Sequence, residues 1–106
     1  MTADTPGAAN AGFPGRATLD VLIVDDEPLA RLRLRGLVEA CPEPSARVVG
    51  EAGDAESALQ ILADTPCDVV LLDIVMPGGN GLRLADELRR RPNGPLVVFV
   101  TAHGEH

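Results

Sequence analysis

Four short aliphatic runs are spaced along the chain, and the segments between them repeat apolar positions at helical spacing. The runs are Leu19 to Val24, Ala46 to Ala52, a stretch opening at Val69, and Leu96 to Val100. The third, Val69-Val70-Leu71-Leu72-Asp73, is continuously apolar up to its carboxylate and lies between Asp68 and Pro77. Such a run predicts an inner strand of a parallel sheet, covered on both faces. Pro28 suits the first turn of a helix, where its missing N–H costs nothing. That helix is predicted to run to about Ala40, with Leu29, Leu32 and Leu37 against the sheet and Arg31 and Arg35 turned away. Cys41-Pro42-Glu43-Pro44 ends it. Asp54 is the expected N-cap of a second helix, about Ala55 to Asp64, with Ala58, Leu59, Ile61 and Leu62 on one broad face. A third helix, about Gly81 to Arg91, places Leu82, Leu84, Ala85 and Leu88 inward and stops at Pro92-Asn93-Gly94-Pro95.

Strand and helix therefore alternate as βαβαβαβ. This pattern predicts an α/β fold with a parallel sheet and right-handed crossovers. Residues 1–18, rich in Ala, Gly, Pro and Thr, show neither period and are expected to form a disordered tail; residues 19–106 make the domain.

Composition narrows the picture. Hydrophobic residues make up 45% of the 106, but aromatics only 2%, so one core must be built from Leu, Val, Ile and Ala. The nine basic residues are all Arg, and the net charge is -7. An acidic surface argues against direct nucleic-acid binding by this segment. Arg89, Arg90 and Arg91 read instead as charges complementing the negative end of the third helix. No apolar run approaches the ~20 residues of a membrane span. The amino terminus lacks the pattern of a signal peptide, so a cytoplasmic location is expected. Cys41 and Cys67 stand apart and read as two small, buried or half-buried thiols in a reducing compartment.

The candidate chemistry lies at strand ends. Asp25 and Asp26 close the first strand, Asp73 the third and Thr101 the fourth. In open α/β sheets, ligands bind at the carboxyl edge. Each residue has a plainer reading alone: helix-initiating acids for Asp25 and Asp26, a solvated strand end for Asp73, a β-branched strand residue for Thr101. Their joint occurrence favours a pocket. Gathered carboxylates repel unless a cation joins them, and oxygen donors suit a hard divalent ion, foremost Mg²⁺. A carboxylate beside Mg²⁺ can act as a nucleophile toward phosphorus. The Thr101 hydroxyl could then donate to a phosphoryl oxygen on Asp73. His103 reads as a loop residue at the pocket mouth.

The segments VLIVDDEPLAR (Val21 to Arg31), VVLLDIVMPGGNGL (69–82) and VVFVTAH (97–103) resemble the receiver domain of bacterial two-component response regulators. The DDEPLAR form is similar to receivers that precede LytTR-type DNA-binding domains. The spacings, 73 − 26 = 47 and 101 − 73 = 28 residues, agree with that family. The resemblance implies a flavodoxin-like, doubly wound sheet of order 2-1-3-4-5. It implies that Asp73 takes a phosphoryl group from a sensor histidine kinase. Asp26 would bind Mg²⁺ directly and Asp25 mostly through water, with the Val75 main-chain carbonyl as a further ligand. Thr101 would contact the phosphoryl group and shift inward on activation, with small Ala102 leaving room. Such a module is not an enzyme beyond slow autodephosphorylation, and in a full-length protein it can precede a DNA-binding output domain. The chain departs from the family in having no Lys, and it stops before the fourth helix, fifth strand and fifth helix. An open fourth strand would then favour poor stability or a homodimer formed by edge pairing. Two other functions compete. One is an inert or dimerising interaction fragment. The other is a Mg²⁺-dependent phosphatase with an Asp nucleophile, disfavoured because Val75 stands where haloacid-dehalogenase-type enzymes place a second acid.

Overall fold

The computed structural model describes residues 17–77 and 80–100. Strands β1 (Thr18–Val24), β2 (Ser45–Ala52), β3 (Val69–Asp73) and β4 (Leu96–Val100) form one sheet of order β2-β1-β3-β4. All neighbours are parallel. Helices α1 (Pro28–Ala40), α2 (Ala55–Asp64) and α3 (Asn80–Arg89) are the crossovers. This is the flavodoxin-like arrangement, with the first four strands in the expected order.

Central strands β1 and β3 send successive side chains to opposite faces, and each face meets helices. Leu22, Val24, Val70 and Leu72 pack with Ala58 of α2 and with Leu84, Ala85 and Leu88 of α3. On the other face Leu19, Val21, Ile23 and Val69 pack with Leu34 and Val38 of α1. The amino ends of the strands are pinned by two acids. Asp68 N–H donates to the Asp20 carbonyl at 2.8 Å, Asp20 N–H returns a bond to Asp68 Oδ2 at 2.8 Å, and Leu96 N–H donates to the Asp68 carbonyl at 2.9 Å. The Asp54 carboxylate caps α2 by accepting from Ser57 N–H at 2.8 Å, which holds its pKa below the ordinary value.

Helix α1 is rotated relative to the sequence expectation. Leu29, Leu32 and Leu37 are exposed (69%, 64% and 64%), while Ala30 is buried and Leu34 and Val38 pack on the sheet. Leucines at four positions of this helix offer two apolar stripes, and local periodicity cannot choose between them. Arg31 and Arg35, one turn apart, both reach Glu51 on β2, with closest contacts of 3.3 and 2.6 Å. The arginines thus lie on the side of the helix next to the sheet edge, and Leu29, Leu32 and Leu37 lie in solvent. In α3, Leu82 is likewise exposed rather than inward, and Gly81 joins Leu84, Ala85 and Leu88 on the buried stripe. The spacing of those four is the i, i+3, i+4, i+7 pattern of one helix face.

Cys41 corrects another expectation: it is exposed, because it follows the last turn of α1 instead of packing beneath it. Cys67 is half-buried just before β3, and both thiols are free. Burial, with Asp68 and Asp20 nearby, pushes the Cys67 thiol up to about 11. At pH 8 its reactive thiolate is then roughly a thousandth of the total. Limited iodoacetamide at pH 8 is expected to alkylate Cys41 well before Cys67, as peptide mapping by mass spectrometry would show; equal rates would contradict the burial of Cys67. Nearly all of the expected tail, residues 1–16, lies outside the described residues, and β1 begins at Thr18, one residue before the expected boundary. Among the described residues, no helix is long and apolar enough to cross a membrane.

Candidate functional site

Two strands end in the same way. The Asp25 carboxylate turns back and accepts from Glu27 N–H at 2.9 Å, and the Asp73 carboxylate accepts from Val75 N–H at 2.9 Å. Each is a short polar side chain closing a turn over its own backbone two residues on. Both turns follow adjacent parallel strands, with Val24 paired to Leu72, so the two acids come out level at the carboxyl edge. Both residues are fully buried. Asp26, next along the chain, is partly open to solvent. One carboxylate oxygen from each of Asp25, Asp26 and Asp73 lies within 4.8 Å of the others.

That spacing is electrostatically costly. At an effective dielectric of about 20, two full negative charges 4.8 Å apart repel by about 3 kcal/mol. A divalent cation reverses the sign of the balance. The donor set is oxygen only, which suits a hard ion. Asp26 Oδ1 is buried without a hydrogen-bond partner among the described residues, so one residue of the cluster carries an acceptor already out of water. The residues present therefore fit a metal.

Sequence reasoning missed several residues that shape this corner. Gly81 lets the first turn of α3 abut the end of β3, since a Cβ there would lie 2.6 Å from the Asp73 carbonyl oxygen. Its place after Asn80 in a loop-to-helix junction was the available signal. A cleft of about 120 Å³ beside the acids is lined by Asp26, Gly53, Asp54, Met76, Pro77 and Asn80. Asp54, expected only as a cap, thus also lines the mouth. Arg31, expected to point away, donates from Nη1 to the Asp25 main-chain carbonyl at 2.6 Å. The side chain of Val75 is exposed, and its amide donates to Asp73 Oδ1. Strand β4 pairs Val100 with Asp73. Thr101, Ala102 and His103 lie outside the described residues.

Comparison with known proteins agrees with this geometry. The family model for the response regulator receiver domain matches residues 21–106. The positive alginate biosynthesis regulatory protein of Pseudomonas aeruginosa is 47% identical over 92 residues, covering 82% of this chain and 35% of that protein. The sensory transduction protein LytT of Bacillus cereus is 41% identical over 88 residues, covering 83% and 35%. The chain thus spans about a third of the length of these curated relatives. Among solved structures, a LuxR-family two-component response regulator from Aurantimonas sp. superposes with a TM-score of 0.71 at 31% identity, covering 82% of this chain and 61% of that one. The response regulator domain of Thermotoga maritima CheB gives 0.67 at 29%, covering 79% and 60%. A parallel sheet of this order, acids gathered at its carboxyl edge and a match over most of the chain have one common explanation: the chain belongs to the response regulator receiver domain family.

Proposed function

We propose that the chain is a phosphoryl-accepting switch in which Asp73 takes a phosphoryl group from a sensor histidine kinase. The observation that carries this reading is the meeting of Asp25, Asp26 and Asp73 within 4.8 Å at the carboxyl edge of adjacent parallel strands. Asp73 is the nucleophile. A carboxylate oxygen forms a bond to phosphorus as the bond from phosphorus to the donor breaks, and the electron pair leaves with the donor. When bound, Mg²⁺ supplies charge neutralisation for the carboxylates and the incoming phosphoryl oxygens. Asp25, Asp26 and Asp73 would hold it, with the Val75 main-chain carbonyl as a further ligand. Val75 N–H fixes the Asp73 carboxylate against rotation, so the nucleophile is presented in one orientation. Thr101 is assigned the contact to the phosphoryl group. The chain itself is not a turnover enzyme: one phosphoryl group is taken and is lost slowly. In a longer protein the altered surface would be read by a DNA-binding output domain.

The metal reading is tested through stability. Asp26→Asn removes one charge from a repelling trio. After allowance for solvent screening of the partly exposed Asp26, the metal-free chain should gain about 1–2 kcal/mol. Mg²⁺ at a hundredfold excess over its Kd should stabilise the wild-type chain by about 2.7 kcal/mol and the variant much less. Thermal melts with and without MgCl₂ measure both effects. A wild-type midpoint indifferent to Mg²⁺, together with a destabilised variant, would refute the metal reading.

A further inference from the structure

The Asp25-Asp26 dipeptide is held at more points than a strand end needs. Asp25 N–H donates to the Ala52 carbonyl at 3.0 Å, extending the β1–β2 ladder by one residue. Asp25 Oδ1 accepts from Glu27 N–H at 2.9 Å. The Asp25 main-chain carbonyl accepts from Arg31 Nη1 at 2.6 Å. That carbonyl belongs to the planar peptide unit that also contains the nitrogen and Cα of Asp26. Fixing its oxygen therefore fixes the root of the Asp26 side chain, which carries the buried Oδ1 and supplies one oxygen to the cluster.

Arg31 is itself held. Its Nε lies 3.3 Å from Glu51 Oε1, while Arg35 Nε donates to Glu51 Oε2 at 2.6 Å. Glu51 precedes Ala52, the residue that receives the Asp25 N–H. A closed ring results: Arg31 to the Asp25 carbonyl, Asp25 N–H to Ala52, Ala52 to Glu51 along the chain, and Glu51 back to Arg31. It ties the first turns of α1 to the ends of β1 and β2.

We infer that Arg31 is a positioning residue for the metal site: its guanidinium clamps the Asp25–Asp26 peptide so that the Asp26 carboxylate is aimed at the ion. This deepens the magnesium reading and rests on it. The geometry requires a fork, not merely a charge. Two different nitrogens serve two acceptors in a fixed plane, which a Lys ammonium cannot reproduce. Residues that orient metal ligands typically cost 10–100-fold in metal affinity when removed.

Charge alone makes the opposite prediction. A cation near three carboxylates opposes a second cation, so removing it should tighten Mg²⁺ binding. The experiment is a MgCl₂ titration of the ¹⁵N-labelled 106-residue chain by NMR, following the amides of Asp26 and Val75. The proteins are wild type, Arg31→Met, Arg31→Lys and, as a control near the amino-terminal end of β2, away from the acids, Arg47→Met. Both Arg31 variants are expected to bind Mg²⁺ 10–100-fold more weakly, with Arg47→Met close to wild type. The same spectra report folding, and Arg31→Lys carries the test if Arg31→Met does not fold. Arg31 variants that match wild type or bind more tightly overturn the positioning role while leaving the metal site standing. A wild-type chain whose amides ignore Mg²⁺ overturns the magnesium reading and this role with it.

Discussion

Asp73→Asn is expected to abolish phosphoryl transfer while leaving the fold in place. Asn keeps the shape of Asp, and its side-chain carbonyl can still accept from Val75 N–H, as the carboxylate does at 2.9 Å. What it lacks is an anionic oxygen able to bond to phosphorus. It also removes one of three mutually repelling charges, so the variant should be at least as stable as the wild type. With acetyl phosphate and Mg²⁺, intact-mass measurement should show a single phosphoryl group added to the wild-type chain and none to the variant. Undiminished labelling of Asp73→Asn would move the acceptor elsewhere. Continuous release of phosphate from esters by the wild-type chain would instead favour the phosphatase reading.

The second large effect is structural and reaches the same residue. Leu72 precedes Asp73, is fully buried and packs in the layer beneath α2 and α3. Leu72→Ala should cost about 2–5 kcal/mol, through lost transfer energy and the cavity left behind. A domain of this size has only about 5–15 kcal/mol in total, so the variant should sit near its unfolding threshold. Leu29→Ala is the informative comparison. Leu29 is 69% exposed, so its truncation should cost no more than about 0.5 kcal/mol. Urea denaturation measures both. A loss at Leu29 as large as that at Leu72 would mean that α1 turns Leu29 toward the sheet after all.

Helix α1 also shows where sequence reading loses its hold. Its limits, Pro28 to Ala40, follow from a helix-opening proline and a proline-rich stop, both local signals. Its orientation depends on the sheet residues that Leu34 and Val38 pack against, with Glu51 as the partner of Arg31 and Arg35, and no local period reports partners that distant. Leu82 was misread for a related reason. It looks like a core residue, but the buried stripe takes Gly81 instead, because the helix must come within reach of the Asp73 carbonyl. Small residues at close approaches carry no hydrophobic signal.

By itself, the sequence determined the alternation of strands and helices, the parallel sheet and the three acids at strand ends, since each is written in a short window of apolar period and breakers. Only the tertiary structure decided which faces of α1 and α3 are buried. It alone brought the oxygens of Asp25, Asp26 and Asp73 within 4.8 Å. It alone placed Arg31 on the Asp25 carbonyl at 2.6 Å. The physical reason is common to all three: strand register and contacts between distant segments fix directions of side chains, whereas local sequence fixes only the kind of element that carries them.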